Sequence, residues 1–486
     1  MNTTHSARMN TTGSDTPAAT AAQAAASPGP FPAPSPAPIS ASASASASLA
    51  ELTGRVTGVV FVPGDEQYDA ERSGFQSGYR HRPSVIVGAA TAADVVEAVR
   101  YARANGLPVS VQSTGHGLAA ANDGGLLVST RRMDGVRIDA GARTARAGAG
   151  ALWAEVIEEA APYGLAPVNG SSPGVGVVGY TLGGGLGILG REFGYASDRV
   201  RLVEVVTADG ELRQVTAERD AGLFRALLGG GHGLGVVTAL EFGLVPVERV
   251  YGGQLVFGGD LMDEALAAYL AWTEDLPDTL TSSVGLIAYP DIPVVPGHLR
   301  GRYLAQIRIA YTGTAEDGER LVAPLRAVGP RVADTLHDMP YTEAHTIHQD
   351  PDTPHSYDGD SVLLSGLDAA ELRKVTALTG PDAPLMTVVQ LNHLGGALTT
   401  GGGSVGHRDA RYLLRLLSPL DGSDIGTART LHAEVRAALA SRAVGRSVNF
   451  LFGDHGDAVA DAYEEDLYRR LAAAKAAYDP EHLFRA

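Results

Sequence analysis

Glycine is concentrated in one stretch of this chain, Gly170-Ser171-Ser172-Pro173-Gly174-Val175-Gly176-Val177-Val178-Gly179-Tyr180-Thr181-Leu182-Gly183-Gly184-Gly185-Leu186-Gly187. A shorter segment, Gln112-Ser113-Thr114-Gly115-His116-Gly117, directly follows the strand-like run Val109-Ser110-Val111. Glycines at this density let backbone N–H groups surround a pyrophosphate, because no Cβ atoms stand in the way. The two segments together predict a site for a diphosphate-bearing cofactor.

Gly174, Gly176 and Gly179 match the G-x-G-x-x-G pattern of dinucleotide sites. The functional pattern follows a buried strand and opens a helix whose N-terminus meets the phosphates. Here residues 169–173 precede the match and residues 183–185 add three more glycines, so we expect no such helix. This expectation excludes a nicotinamide Rossmann site.

Composition narrows the function classes. The 486 residues are enough for two or three domains, and the formal charge of −17 argues against a nucleic-acid or anionic-membrane surface. The absence of cysteine excludes disulfides, thiolate metal sites and cysteine nucleophiles. The sequence contains no run of about eighteen apolar residues, which is the length that a membrane-spanning helix needs. No basic segment leads into an apolar signal-peptide core, so we expect a cytoplasmic protein; the alternative is an N-terminal segment that is cleaved or serves as a linker.

The amino-acid composition of the chain changes near residue 50. Residues 1–50 form an Ala/Ser/Pro/Thr-rich segment of low complexity, which we expect to be a disordered tail. Between residues 51 and 245, strand-like runs at 59–62, 83–87 and 107–111 alternate with a helix that a Thr91 capping box opens. This alternation is typical of an α/β or an α+β domain.

The second half has a different pattern. Between residues 246 and 444, strand-like runs at 282–288, 304–311 and 386–391 alternate with helical stretches at 262–272 and 369–378. They predict an antiparallel sheet with helices on one face, and hence an α+β fold class for the whole chain. A terminal segment, residues 445–486, ends in a helix that Asp479-Pro480 stops.

Several motifs occur in one order along the chain. The two glycine-rich segments are followed by Leu189-Gly190-Arg191-Glu192-Phe193-Gly194-Tyr195-Ala196-Ser197-Asp198 and by Gly229-Gly230-Gly231-His232-Gly233-Leu234-Gly235-Val236-Val237-Thr238. Asn392-His393-Leu394-Gly395-Gly396-Ala397, Asn449-Phe450 and the closing residues 475–485 come later. In this order, from Val59 to Arg485, the chain resembles the vanillyl-alcohol-oxidase (PCMH-type) flavoproteins, in the berberine-bridge-enzyme-like branch.

The resemblance implies FAD as the cofactor. It implies a two-part PCMH-type FAD-binding domain at residues 51–245, a substrate-binding domain at 246–444 and a C-terminal segment, 445–486, that returns to the FAD domain. His116 stands where the family bonds a histidine covalently to the flavin 8α carbon; the alternative is a solvated loop histidine. The positions that the resemblance assigns to the cofactor are Gln112, Ser113, Thr114, Gly115, His116, Gly117, Ser172, Pro173, Gly174, Val175, Gly179, Thr181, Gly183, Gly184, Gly185, Gly187, Asp198, Val237 and Asn449.

Two of these positions bear on the chemistry of the flavin. Ser172 stands where many members carry a cysteine that forms a second covalent link, and a serine cannot form it. We therefore expect one covalent bond, through His116. Val175 matches the position where small residues accompany reaction with dioxygen, which favours an oxidase; the alternative is a valine that only packs within its loop.

The catalytic base is where this chain departs from the family. Members often carry a tyrosine two residues before the asparagine that Asn449 matches, and this chain has Ser447 there. Oxidation of an alcohol needs a group that takes the hydroxyl proton, and serine is a poor base. The remaining candidates are water and the side chains of Tyr289, Tyr311, Tyr357, Asn392 and His393, each with a structural role as the alternative.

The resemblance implies an FAD-dependent oxidase. Such an enzyme transfers hydride from an alcohol or amine carbon of a small to medium substrate, a secondary metabolite or a sugar, to flavin N5. O₂ then accepts the electrons and gives H₂O₂. The alternatives are a dehydrogenase with noncovalent FAD and another acceptor, and a flavin-binding relative without turnover. A plain carbohydrate-binding protein is disfavoured, because it gives no reason for two phosphate-binding loops.

One histidine cluster stands apart from these motifs. His345, His348, Asp350 and His355 include two histidines three residues apart, a spacing found in metal sites. Pro351 and Pro354 interrupt the segment, however, and catalytic zinc sites take their ligands from rigid elements. We therefore expect no metal here.

Overall fold

The computed structural model describes residues 48–118, 121–231, 233–293, 295–297, 299–420 and 424–485. The predicted tail lies outside the described residues up to position 47, and so does His232. Helix α1, Leu49–Arg55, begins two residues before the expected boundary at 51, because Ser48 and Glu51 form a capping box.

The first sheet has four strands, in the order β1-β2-β4-β3. Strands β2, β4 and β3 run parallel, whereas β1 is antiparallel to β2. Asp94, in the capping box of α3, also accepts hydrogen bonds from the N–H groups of Thr57 and Gly58, the two residues before β1. Helix α3 packs Val95 and Val99 into the core of this sheet. The elements are β1 (Val59–Phe61), α2 (Tyr68–Arg72), β2 (Val85–Gly88), α3 (Ala92–Ala104), β3 (Val109–Gln112) and β4 (Leu126–Ser129).

The second sheet has five antiparallel strands, in the order β5-β6-β9-β7-β8. Its core contains the fully buried Trp153, Val203 and Leu240. The elements are β5 (Val136–Asp139), β6 (Thr144–Gly148), α4 (Trp153–Ala160), α5 (Val177–Leu182), α6 (Gly190–Phe193), β7 (Val200–Val206), β8 (Leu212–Val215), α7 (Ala221–Leu227) and β9 (Val236–Gly243).

Helix α5 corrects one expectation. We expected no helix after the G-x-G-x-x-G match, but a six-residue helix begins at Val177, directly after Gly176. Leu182 ends it, because Gly183, Gly184 and Gly185 follow and two of these have positive φ. A loop rather than a buried strand precedes the match, so the exclusion of a Rossmann site stands.

The third sheet has nine antiparallel strands. Its order is β13-β10-β12-β11-β16-β17-β15-β18, and β14 also pairs with β10. The elements are β10 (Arg249–Gly258), α8 (Met262–Trp272), β11 (Leu280–Ala288), β12 (Tyr303–Tyr311), α9 (Ala315–Arg326), β13 (Ala333–Asp334), β14 (His337–Pro340), β15 (Tyr357–Leu364), α10 (Ala369–Thr379), β16 (Val388–His393), β17 (Tyr412–Pro419), α11 (Ile425–Ala438) and β18 (Ala443–Gly445).

The two faces of the third sheet differ in chemistry. Val284, Ile307 and Leu391 point to one face, where residues of the four helices α8 to α11 cover them. Because side chains alternate along a strand, Ser283 and Arg308 point to the other face. We call this second side the polar face. The predicted α+β class, with an antiparallel sheet covered on one face by helices, is confirmed.

The chain ends against the first sheet. After helix α12, Glu465–Tyr478, the last residues run beside β3: Val109 N–H donates to Leu483 O at 2.7 Å and Arg485 N–H donates to Val109 O at 2.9 Å. Within the described part of the chain, no helix combines the length and the apolar character that a membrane span needs.

Candidate active site

The loop after β3 presents free backbone donors. Its carbonyls are held in place, because Phe75 N–H donates to Thr114 O at 2.8 Å and Gln76 N–H donates to Gly115 O at 3.0 Å. The N–H groups of residues 114–117 donate no hydrogen bond to any described residue. Consecutive free N–H groups of this kind form a concave site for an anion.

His116 is fixed at the centre of this loop. Its ring stacks on Phe75 with centroids 3.9 Å apart, and its Nδ1 lies 2.8 Å from Thr114 Oγ1. The Tyr357 hydroxyl donates to His116 O at 2.6 Å, which ties the loop to strand β15. Burial, together with the neighbouring His355, lowers the pKa of His116 to about 4. The imidazole is therefore neutral at pH 7, the form in which a ring nitrogen can act as a nucleophile.

The two glycine-rich segments are in contact. A Cβ atom on Gly176 would lie 3.4 Å from Ser113 Oγ. Cβ atoms on Gly117, Gly174 and Gly179 would meet no protein atom within 4 Å, so these three glycines border open space. Gly183, Gly184, Gly185 and Gly187 are instead crowded by the chain's own atoms.

Buried polar atoms support the same interpretation. Ser113 Oγ and Gln112 Oε1 are buried and have no hydrogen-bond partner among the described residues. Unpaired buried polar groups are costly, so a partner outside the chain is expected. With the free N–H groups and the open glycines, these atoms fit a diphosphate-bearing cofactor such as FAD.

Asn449 and Ser447 lie next to helix α5. Asn449 Nδ2 donates to Tyr180 O at 3.0 Å, and its side chain packs directly on Gly183. The backbone of Ser447 is paired with Ser361 on β15, which donates to Ser447 O at 3.2 Å. Both residues line a small cavity that Gly183 and Gly185 also border. The structure therefore brings the predicted Asn449 and Ser447 to the second glycine-rich segment.

A larger cleft of about 390 Å³ lies between that segment and the polar face. Leu186, Gly187 and Ile188 form one wall. The opposite wall carries polar side chains on four adjacent strands, Ser283, Arg308, Gln390, Asn392 and Arg415. The cleft is partly open to solvent and lies where the second glycine-rich segment meets the polar face.

Of the predicted catalytic side chains, Asn392 lies at this cleft, Tyr357 at the His116 loop, and Tyr289 beside Gln306 of strand β12. Asn392 lines the cleft, and its buried Oδ1 has no partner among the described residues. Tyr289 follows β11, and its hydroxyl accepts from Gln306 Nε2 at 3.3 Å. The Tyr357 hydroxyl is committed to His116 O, and burial raises its pKa well above the ordinary value.

Two other predicted bases lie elsewhere, which corrects the sequence analysis. Tyr311 is the last residue of β12 and packs into the helix-covered core, on the side opposite to Arg308. His393 points away from Asn392, and its Nε2 lies 3.3 Å from Arg191 Nη1. Burial, with the charge of Arg191, lowers the pKa of His393 to about 3. Neither side chain reaches the cleft, because neighbours along a strand face opposite sides.

Some predicted cofactor residues use their side chains within the protein. Both Asp198 oxygens accept from Arg408, at 2.7 and 3.1 Å. Thr181 Oγ1 donates to Val177 O at 2.7 Å, and Val237 is buried in the second core. For these three positions the side chain has a structural role, so any contact with a cofactor falls to the backbone. Val175 packs partly against the same core, while Ser172 and Pro173 are half-buried.

The histidine cluster does not converge on one point. His348 lines the cleft, whereas His355 packs beside Phe75 and Tyr357. Asp350 accepts a hydrogen bond from Ser171 at 2.5 Å. Among the described residues, no group of three or more His, Asp or Glu side chains is arranged to hold a metal ion.

Sequence reasoning missed the two arginines of the cleft. Arg308 stands in the apolar run of β12, and Arg415 is the one charge in Leu413-Leu414-Arg415-Leu416-Leu417. A charge at alternate positions of an apolar strand indicates a polar lining on the second face, and this pattern was available in the sequence. Burial lowers the pKa of the Arg415 guanidinium to about 10, so it remains charged at pH 7.

Comparisons with known proteins agree with this geometry. The FAD binding domain family matches residues 83–216, and the family described as berberine and berberine like matches residues 448–486. The (R)-6-hydroxynicotine oxidase of Paenarthrobacter nicotinovorans is 31% identical over 88% of this chain and 96% of its own length. An FAD-linked oxidoreductase of Dictyostelium discoideum is 25% identical over 90% of this chain and 95% of its own length.

Solved structures share the architecture. The crystal structure of 6-hydroxy-D-nicotine oxidase from Arthrobacter nicotinovorans superimposes with a TM-score of 0.78 at 27% identity, covering 88% of this chain and 97% of the other. A chitooligosaccharide oxidase gives a TM-score of 0.77 at 21% identity, over 89% and 96% of the two chains. At this low identity, the likeness to the chitooligosaccharide oxidase shows a shared fold.

Proposed function

The chain belongs to the berberine-bridge-enzyme-like branch of the PCMH-type FAD-linked oxidoreductases, and we propose that it oxidises an alcohol or amine carbon of a small to medium organic molecule. The substrate class includes secondary metabolites and sugars, and O₂ is the proposed electron acceptor, giving H₂O₂. Two of the proteins named above are called oxidases of 6-hydroxynicotine and of chitooligosaccharides, which supports this range.

One observation carries the proposal: the two glycine-rich segments and the polar face converge. The His116 loop contacts Gly176, helix α5 runs from Val177 to Leu182, and residues 186–188 then form a wall of the cleft. A cofactor held by the loops and a substrate held by the sheet therefore share one continuous site.

We assign the cofactor-binding roles as follows. The free N–H groups of residues 114–117 bind the pyrophosphate, and His116, neutral and stacked on Phe75, is the residue for covalent attachment. Ser172 offers no second link. FAD, when bound, supplies a hydride acceptor at N5 and passes the electrons to O₂.

On the substrate side, Asn392 orients the reacting group. Its buried and unpaired Oδ1 is available to accept a hydrogen bond from the hydroxyl or amine that is oxidised. An amide is not a base, so water or Tyr289 takes the proton of an alcohol substrate. The Tyr289 hydroxyl lies beside Gln306 of strand β12, which is its only hydrogen-bond partner among the described residues. Tyr357 is less suited, since its hydroxyl is committed to His116 O.

The test is reduction of the bound flavin without oxygen. Purified protein is titrated anaerobically with panels of alcohols, sugars and amines, and bleaching of the visible flavin band is followed. We expect one class to bleach the band, and H₂O₂ to form when air is admitted. Asn392→Ala should keep the flavin and slow bleaching by about 10²-fold, because the reacting group is no longer oriented. Arg320→Gln, an exposed position on α9, should match the wild type. A flavin that no panel bleaches would contradict the proposal.

A further inference from the structure

Two arginines of the cleft lack the partners that buried cations usually have. Arg308 is 5% exposed and Arg415 is half-buried. Among the described residues, neither lies within 4 Å of a carboxylate oxygen. Arginine is rarely buried without an ion pair, because removing a charge from water costs several kcal/mol.

Their hydrogen-bond donors are largely unused. Arg415 donates no hydrogen bond to any described residue, and its guanidinium carbon lies 4.1 Å from the centroid of the Phe450 ring. Arg308 Nη2 donates to Gln306 Oε1 at 2.6 Å, but its buried Nε has no partner. A guanidinium fixed on an aromatic ring with free donors matches a carboxylate in two-point geometry.

The surrounding sequence makes room for this arrangement. A Cβ atom on Gly285 would lie 2.5 Å from Arg308 Nη1, so glycine at this strand position lets the guanidinium lie across β11. Both arginines line the same cleft as Asn392. The polar face therefore places two cations beside the group that we assign to orienting the substrate.

The nearby titratable groups leave a net positive charge. Asp350 is the acid whose charge acts on both arginines, and it is exposed and bonded to Ser171. Although protein atoms around its carboxyl group oppose ionisation, the hydrogen bond from Ser171 and the charges of Arg308 and Arg415 lower the pKa of Asp350, so it is ionised. Burial and Arg308 lower the pKa of His348 to about 3, so His348 is neutral at pH 7. Tyr289 and Tyr180 are the other titratable groups that face the pair.

We infer that the substrate carries a carboxylate group, which Arg308 and Arg415 bind while the carbon to be oxidised lies nearer to Asn392. This inference rests on the proposed function, since it names the substrate class of the same cleft. It separates this chain from an oxidase of neutral sugars or of cationic amines that lack an acid group.

The test compares a carboxylate with its neutral amide of the same shape. Benzoate and benzamide are titrated into the purified holoprotein, and binding is measured by calorimetry and by the change in the visible flavin spectrum. We expect benzoate to bind at least tenfold more tightly than benzamide at pH 7.5. Arg308→Gln and Arg415→Gln should each remove most of this preference, Arg415→Lys should restore part of it, and Arg320→Gln should leave it unchanged.

Three results would overturn the inference: equal affinity for the two probes, a preference that survives both glutamine variants, or variants that lose flavin while the remaining holoprotein still prefers benzoate. The last result would mean that the arginines contact the cofactor instead. A chain purified without flavin would contradict the proposed function, yet calorimetry on that protein would still decide the carboxylate preference. The two failures are therefore distinguishable.

Discussion

Gly183 and Asn449 show how one pair of residues joins the C-terminal segment to the glycine-rich stretch. A Cβ atom on Gly183 would overlap the Asn449 side-chain oxygen, while Asn449 Nδ2 donates to Tyr180 O at 3.0 Å. Two segments separated by more than 250 positions thus meet through an amide that needs a residue without a side chain. This contact fixes Asn449 beside α5.

We predict that Gly183→Ala lowers the free energy of unfolding by about 2 kcal/mol, because overpacking a tight contact forces side chains and backbone to shift. Urea unfolding of the variant measures this loss. In the double variant Gly183→Ala/Asn449→Ala the clash is removed, so part of the stability should return. If the loss of stability in the double variant equals or exceeds the sum of the losses in the two single variants, the clash is not the cause.

The residue scale also shows what the sequence could not provide. The open glycines, Gly117, Gly174 and Gly179, and the crowded Gly183 look alike in the sequence, and only the structure separates those that face a ligand from those that face the chain. Conversely, Arg308 and Arg415 were visible as charges in apolar strands. The two side chains line one cleft because strands β12, β11, β16 and β17 are neighbours in that order in the sheet, and no local sequence pattern encodes this order.

At the scale of elements, helix α12 and the last residues close the molecule on the first sheet. Lys475 Nζ donates to Asp479 Oδ2 at 2.5 Å and to Gly233 O at 2.6 Å. Asp479 is fully buried and accepts from the N–H groups of Leu483 and Phe484, at 2.7 and 3.0 Å. One ion pair therefore positions the backbone that lies beside β3.

Asp479→Ala should destabilise the protein by about 3 kcal/mol, since it leaves the buried Lys475 ammonium without its counter-charge. The measurement is the urea midpoint at constant slope. Glu481→Gln, two residues away and 54% exposed, is the matched control and should cost less than about 1 kcal/mol. Equal losses in the two variants would show that Asp479 is no more important than a surface carboxylate.

Helices and strands were predicted well where the pattern of apolar residues lies within the segment itself. The expected strand 304–311 and helix 262–272 agree with β12 and α8 to within one residue, because apolar alternation and helical spacing are properties of the segment itself. The six-residue α5 was missed, since surrounding glycines give no helix propensity and its packing against the second core stabilises it. Tyr311 and His393 were assigned to the site without regard to strand alternation, which turns them away.

At the scale of the whole molecule, several buried histidines make stability depend on pH. His393 and His432 are 5% and 1% exposed, and burial lowers their pKa values to about 3 and about 4. In the unfolded chain each titrates near its ordinary value of 6.5. Above pH 6.5 both histidines are neutral in the folded and in the unfolded chain, so burying them carries no cost of deprotonation. As the pH falls from about 6.5 towards 4, protonation of the unfolded chain lowers the free energy of unfolding.

We predict that each of these histidines lowers the free energy of unfolding by about 2 kcal/mol when the pH is lowered from 7.5 to 5. The reason is that the histidine binds a proton in the unfolded chain but stays neutral in the folded chain. Urea unfolding at the two pH values measures the loss. His432→Gln should reduce the difference by about 2 kcal/mol, whereas the same change at the exposed His345 should leave it unaltered. A His432→Gln variant with the wild-type pH dependence would contradict the prediction.

The fold of the whole molecule was accessible from the sequence because ordered motifs, spread from Val59 to Arg485, identified a family. The cleft was less accessible, since Ser171, Arg308 and Arg415 meet only when the third sheet packs against the second glycine-rich segment. Long-range register and packing decide such a site, and local sequence patterns do not contain them.

The central claim is that the two glycine-rich segments hold FAD, bonded once through His116. Acid precipitation of the purified protein tests it most directly, because noncovalent flavin stays in solution while bonded flavin remains in the pellet. We expect a yellow pellet from the wild type, and a colourless pellet with flavin in the supernatant from His116→Ala. A colourless wild-type pellet would contradict the covalent bond, and a protein without a visible flavin band before precipitation would contradict the claim as a whole.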